Sequence, residues 1–176
     1  MNLEEIRSAE ESPTFKLKPL SKDGVGAALA RAEHYRWLNQ PYLAESICLD
    51  ILAVDPDNQK TRIVLLLSLT DQFDAKQIKV KTAIEIANGL KDEYAKLYYL
   101  GIIHERQGNT AIASSNPGSD FDAYEWYLEA MDYYEKADDI NPAGVEDVVL
   151  RWNTCARIIM ENSLKGRPRD TFPILE

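Results

Sequence analysis

Apolar positions recur every three or four residues through most of the chain, and the rhythm breaks only at proline, glycine and short polar clusters. From Val25 the spacing Leu29, Ala32, Tyr35 predicts a first helix that stops near Asn39-Gln40, because Pro41 disfavours helical geometry in the residue before it. Pro41 also suits the first turn of a second helix, with Leu43, Ala44, Ile47, Cys48 and Ile51 on one face. A third helix runs from the N-capping Asn58 to Gln72, and its run Ile63 to Leu67 with Leu69 predicts burial on most sides. Asp74 can cap a fourth, carrying Ile78, Ala83, Ile86, Ala87 and Leu90, and Asp92 a fifth that reaches Gln107 before Gly108-Asn109 stops it. Residues 110–119 read as a turn around Asn116-Pro117-Gly118. Asp120 then opens a long helix with the stripe Ala123, Trp126, Tyr127, Ala130, Tyr134, Ala137, and a last helix, about 145–164, is ended by Gly166 and Pro168. The pattern predicts an all-α fold of about seven helices at 24–166, between a flexible, acidic, proline-containing tail at 1–23 and a C-terminal tail at 167–176.

One phrase occurs twice. Ala44-x3-Cys48 is followed eight residues later by Pro56, and Ala130-x3-Tyr134 by Pro142, each proline lying between two helical patterns. That is the punctuation of a helical-hairpin repeat, whose units bury their apolar faces by stacking on neighbours. These residues resemble the tetratricopeptide repeat. The first unit is similar through Ala32, Tyr35, Ala44, Cys48 and Pro56. The third is similar through Leu97, Leu100, Gly101 and His104, with Gly108 at the turn, then Ala130, Tyr134, Ala137 and Pro142. The second, about Gln59 to Glu93, has the right length, with Leu66 where a small residue belongs. The last helix would be a solitary first helix, similar through Trp152, Cys155, Ala156 and Ile159. The resemblance covers about 140 residues and implies a right-handed α-solenoid of antiparallel helix hairpins. Another helical-hairpin solenoid or an irregular bundle is the alternative.

An insertion at 109–129 lengthens one hairpin relative to the family pattern. Asp122 to Tyr127 continues the following stripe backward by about two turns and carries Phe121, Tyr124, Trp126 and Tyr127. Two readings follow. The aromatics fold back onto Ile112 and the end of the fifth helix, or they form an exposed ridge for a partner or a second copy, since Tyr and Trp anchor interfaces.

Composition narrows the function. The chain has 176 residues, 45% of them apolar and 28% charged, with a net charge of −9, as befits one ordinary folded domain. Ten acids and one base between Asp120 and Asp147 give that stretch −9, whereas five bases and one acid between Arg151 and Arg169 give +4. Such runs are solvated faces or steer a partner. Phosphate binding wants a basic stripe on a basic chain, so nucleic acid is not expected as a partner. No run approaches the roughly 20 apolar residues that span a bilayer, and Met1-Asn2-Leu3-Glu4-Glu5 lacks the basic start of a signal peptide; the expectation is a cytoplasmic protein with no membrane partner. Cys48 and Cys155 lie on apolar stripes, where cysteine acts as a small hydrophobe. His34 and His104 show no metal-ligand spacing, and no phosphate loop or nucleophile elbow is present, so neither an enzyme, a metal nor a cofactor is expected.

A binding role remains. In the tetratricopeptide family the groove residues lie on the first helices of successive hairpins, away from their partner helices, which here implies Arg36, Trp37, Tyr98, Tyr99, Arg106, Asn153 and Arg157. Their aromatics and arginines suit an extended, somewhat acidic protein or peptide segment. Leu29, Glu33 and Ile102 stand where some members carry a lysine and asparagine clamp for a C-terminal carboxylate, which argues against a chaperone-tail receptor. The alternative is a self-associating module, a homodimer through the insertion aromatics or the terminal helix.

Overall fold

The computed structural model describes residues 15–73 and 78–168. Within them the chain forms a single 3₁₀ turn at Lys22–Gly24, seven α-helices and no strand. The helices are α1 (Val25–Trp37), α2 (Pro41–Val54), α3 (Gln59–Thr70), α4 (Ile78–Asn88), α5 (Glu93–Ala113), α6 (Ser119–Asp138) and α7 (Asp147–Glu161). Each packs chiefly on its neighbours in the chain, and α1 also touches α3.

The local chemistry explains the boundaries. The Asn58 side chain accepts the Thr61 N–H at 3.0 Å and donates to Asp55 at 2.9 Å, so one residue closes the α2–α3 turn and caps α3. Asp92 caps α5 by accepting the Tyr94 N–H. At the end of α1, Asn39 takes a left-handed conformation (φ 55°), and the N–H of Gln40 reaches back to the Tyr35 carbonyl. Asn39 therefore shares the stop that Pro41 alone suggests. The fourth helix's expected cap, Asp74, lies outside the described residues, as do residues 1–14 of the N-terminal tail and 169–176 of the C-terminal one.

Three boundaries differ from the sequence reading. Helix α5 does not stop at Gly108-Asn109 but continues to Ala113, because a glycine and an asparagine inside a helix cost less than the contacts they make with α6. Helix α6 begins at Ser119, one residue before Asp120, straight after Gly118 in its left-handed turn (φ 84°). Helix α7 closes before Gly166 and Pro168: Ser163 (φ 52°) is left-handed, and the N–H groups of Ser163 and Leu164 bond the Met160 and Ile159 carbonyls. Burial of Leu164 in the core completes this cap.

The core has two parts that meet on α5. Ala32, Ala44, Cys48, Leu66, Ala83, Ala87, Leu100 and Ile103 belong to the first, and Ile102, Ala123, Tyr127, Ala130, Tyr134, Val148 and Cys155 to the second. Helix α3, as its apolar run implies, is buried on most sides. Between α5 and α6 the helices come close because two glycines face two tyrosines. A Cβ on Gly101 would stand 2.4 Å from the Tyr134 ring, and one on Gly108 2.8 Å from the Tyr127 ring. Each tyrosine hydroxyl then finds an acceptor, Tyr127 in Asn109 at 2.6 Å and Tyr134 in Glu105 at 2.7 Å.

Candidate functional site

Three of the seven expected groove residues, Arg36, Arg106 and Tyr98, stand in two polar groups, and Tyr99 lies against Tyr98. In one, Asp71, just past α3, accepts from Arg36 of α1 at 2.9 Å and pairs with Arg106 of α5 at 3.3 Å. Two guanidinium groups share one carboxylate, so the group carries one net positive charge. In the other, Arg151 of α7 donates to both oxygens of the buried Glu105 at 2.9 and 3.1 Å, and to the Tyr98 hydroxyl at 3.3 Å. Burial opposes the Arg151 charge most strongly, but the Glu105 carboxylate, the Tyr98 hydroxyl and Tyr134 together outweigh it, so the guanidinium is held above its ordinary value. Tyr98 stacks on Tyr94 (6.0 Å) and meets Tyr99 edge-on (5.2 Å). Tyr99 packs against both halves of the core, and burial raises its pKa. Tyr98 and Tyr99 are therefore half-buried.

The other three stand apart from these groups. Trp37 ends α1 and is 83% exposed. Leu38 (52%), Tyr42 (70%) and Leu43 (42%) follow it, so the short stretch around the α1–α2 turn exposes four large apolar side chains. On α7, Asn153 is half-buried and Arg157 exposed, and neither joins the Arg36 or the Arg151 group. Sequence reasoning missed Asp71, Glu105 and Arg151, which orient the arginines and Tyr98. An acid at position 105, inside an otherwise closely packed stretch of α5, was the available signal, because a buried carboxylate requires a cation.

The insertion aromatics do not form an exposed ridge. Tyr127 is wholly buried, so the expectation of a surface anchor fails there; its ring is needed to fill the space over Gly108. Trp126 is half-buried and stacks on His104 (5.4 Å), which also stacks on Tyr133 (5.2 Å). Phe121 lies under the Arg167 guanidinium, and Tyr124 is in contact range of Gly166, so the segment after α7 covers them. Trp126 and Tyr127 thus fold back onto α5, while Phe121 and Tyr124 meet the segment after α7.

Histidine and cysteine chemistry is muted. His104 Nδ1 lies 3.1 Å from a Glu129 oxygen but without hydrogen-bond geometry, and burial pushes the imidazole down to about 4. Both thiols are free and buried, and burial pushes each up to about 12, far from the reactive thiolate range. Among the described residues no group of three His, Cys, Asp or Glu side chains is placed to hold a metal, and no helix is long and apolar enough to cross a membrane.

No protein-family model, curated protein or solved structure matches the chain.

Proposed function

We propose that the chain is a non-enzymatic adaptor, a tetratricopeptide-like array that holds a protein or peptide segment along α1, α3, α5 and α7. The observation that carries this reading is the α1–α2 turn, where Trp37, Leu38, Tyr42 and Leu43 stand exposed directly after Arg36. Exposed Trp and Tyr beside an arginine are what interfaces use as anchors, and monomers rarely leave such a group uncovered. Consecutive helix packing, the fully buried Ala44 and Ala130, and the fit of Gly101 to Tyr134 support the repeat architecture. The ligand would present an apolar side chain to Trp37 and polar or acidic groups to the Arg36–Asp71–Arg106 set, whose residual charge is positive. We place this activity in the cytoplasm.

The test is affinity capture with wild-type protein and with Trp37→Ala/Tyr42→Ala, quantified side by side. A partner held by the first and lost by the second, with equal melting temperatures, supports the reading. Identical capture by both sinks it.

Self-association is the second reading, and α7 now favours it over the insertion. Val149, Leu150 and Met160 are exposed on this helix, and Val149 also lines a hollow of about 200 Å³ with Val148, Trp152, Tyr134 and Glu135.

A further inference from the structure

The chain that follows α7 lies against α6. Leu164 is buried in the core, a Cβ on Gly166 would stand 3.4 Å from the Tyr124 ring, and the Arg167 guanidinium lies over the Phe121 ring and pairs with Asp122. Tyr124 opens a stripe. Steps of four and three residues from it reach Leu128, Met131, Glu135 and Asp138, all on one face of α6. Leu128 is 43% exposed, and Met131 is half-buried against the second part of the core. Glu135 and Asp138 line the 200 Å³ hollow whose other walls include Val148, Val149 and Trp152 of α7. One face of α6 therefore leads from the point where Gly166 touches it to that hollow.

Residues 169–176, which lie outside the described residues, match this path in reach, shape and charge. From Tyr124 to Asp138 the helix rises about 21 Å. Six residues of extended chain cover about 20 Å, so with Gly166 beside Tyr124 it is Phe172 that arrives at the hollow. Arg167 and Phe172 each precede a proline, which biases both toward extended geometry, and Pro173 has no N–H to leave unpaired against an apolar wall. A cavity of about 150 Å³ holds a benzene ring, so this larger one admits a phenyl group. The charges fall in the same order. Lys165 and Arg167, with Arg169 next in line, meet the acidic start of α6 at Asp120, Asp122 and Glu125, and the uncharged Thr171 to Leu175 follow toward the apolar walls. At the hollow itself the Glu135 carboxylate is engaged by the Trp152 indole N–H at 2.9 Å.

We propose that the groove between α6 and α7 is the docking surface of residues 169–176 of this same chain, with Phe172 in the hollow against Trp152 and Val149. Docking there takes Val149 out of the surface that α7 offers a second copy and leaves Leu150 and Met160 in it. The inference is independent of the adaptor reading, whose anchors stand at the α1–α2 turn, and it stands or falls separately.

The experiment uses the full ¹⁵N-labelled chain with a nitroxide spin label at Glu176→Cys. Cys48 and Cys155 are fully buried and their thiols are pushed up to about 12, so only the introduced thiol takes the label. The readout is the indole N–H resonance of Trp152 against that of Trp37, each assigned by its loss in the corresponding Trp→Phe variant. Relative to the same protein with the label reduced, Trp152 should lose more than half its intensity and Trp37 should keep all of it. Adding Phe172→Asp and Ile174→Asp to the labelled chain should restore Trp152. Full Trp152 intensity, an equal loss at Trp37, or no recovery with the added substitutions would overturn the proposal. A mixture of ¹⁵N protein without the label and spin-labelled ¹⁴N protein tests the source of the segment. Trp152 should stay at full intensity there; a loss would mean that a second copy's segment fills the groove, and docking within one chain would fall. The labelled chain differs from wild type only at residue 176, so it decides even if the Phe172→Asp/Ile174→Asp variant fails to fold.

Discussion

Glycine has opposite consequences at different points of this chain. Replacing an interior helical glycine with alanine ordinarily stabilises by up to about 1 kcal/mol, and Gly26, with nothing within 4 Å of where the added methyl would stand, should follow that rule. At Gly101 and Gly108 the same methyl meets a buried tyrosine ring at 2.4 and 2.8 Å, so overpacking of roughly 1 to 3 kcal/mol exceeds the gain. Thermal melts should show Gly26→Ala unchanged or raised, and Gly101→Ala and Gly108→Ala lowered; a raised melt for either of the last two would remove the close helix contact from the account. The Gly108 contact was hard to read locally, since Gly-Asn inside a helix and Gly-Asn ending one look alike. Only the matching separations, Gly101 to Gly108 on one helix and Tyr127 to Tyr134 on the next, distinguish them. His104 gives a second residue-scale expectation. Its folded value, about 4, lies below the ordinary 6.5 because of burial, so the unfolded chain takes up the proton first as pH falls. Its contribution is whole above about 6.5 and is lost progressively toward 4. Glu129, raised by burial and then by Glu125 and Asp132, works in the opposite sense, since a carboxyl raised on folding loses stability as pH rises. Comparison with His104→Phe isolates the imidazole: from pH 7 to 5 the wild type should lose about 2 kcal/mol more than the variant. Equal losses would mean that the ring is not held neutral by its surroundings.

Among the helices, existence was legible and extent was not. Seven amphipathic patterns became seven helices because each stripe was long and regular, and Asn58, Asp92 and Pro41 mark their starts by side-chain or ring chemistry that a sequence displays. Ends set by left-handed residues of ordinary type, Asn39 and Ser163, were obscured by the louder Pro41, Gly166 and Pro168 nearby. The candidate site was legible in part for a related reason. Arg36, Tyr98, Tyr99 and Arg106 follow from which face of a first helix they occupy, whereas Asp71 and Glu105 act across helices and carry no periodic signature. Helix α7 depends on such a pairing. Arg151 supplies the cation for Glu105, whose side chain is buried and also takes the Tyr134 hydroxyl. Arg151→Met should therefore leave a buried carboxylate uncompensated and cost about 3 kcal/mol, while Arg151→Met with Glu105→Met should recover much of that loss. Melts of these two variants and of Glu105→Met alone check this; additive losses would mean that the pair is not coupled.

At the scale of the whole molecule the charge asymmetry is partly spent inside the chain. Arg167, from the basic segment after α7, pairs with Asp122 and lies 3.6 Å from Glu125 in the acidic stretch, so the two runs meet each other instead of both waiting for a partner. Besides single exposed residues such as Leu49, Leu128 and Ile140, two groups of exposed apolar side chains lie at opposite ends of the helix order: Trp37, Leu38, Tyr42 and Leu43 where α1 turns into α2, and Val149, Leu150 and Met160 on α7. On the repeat reading proposed above, a terminal helix would keep a polar outer face to stay monomeric, and the exposed Val149, Leu150 and Met160 of α7 depart from that. This separates the two readings of function physically, because a charge placed at one end cannot disturb contacts made at the other. Sedimentation equilibrium of wild type, Leu150→Glu and Trp37→Ala/Tyr42→Ala makes the comparison. If α7 pairs with a second copy, the wild type is a dimer, Leu150→Glu is a monomer with an unchanged melt, since Leu150 is mostly exposed, and the double variant remains a dimer. A wild type that stays monomeric at every concentration would withdraw self-association and leave the α1–α2 turn as the surface to pursue; a dimer disrupted only by the double variant would move the homotypic contact to that turn.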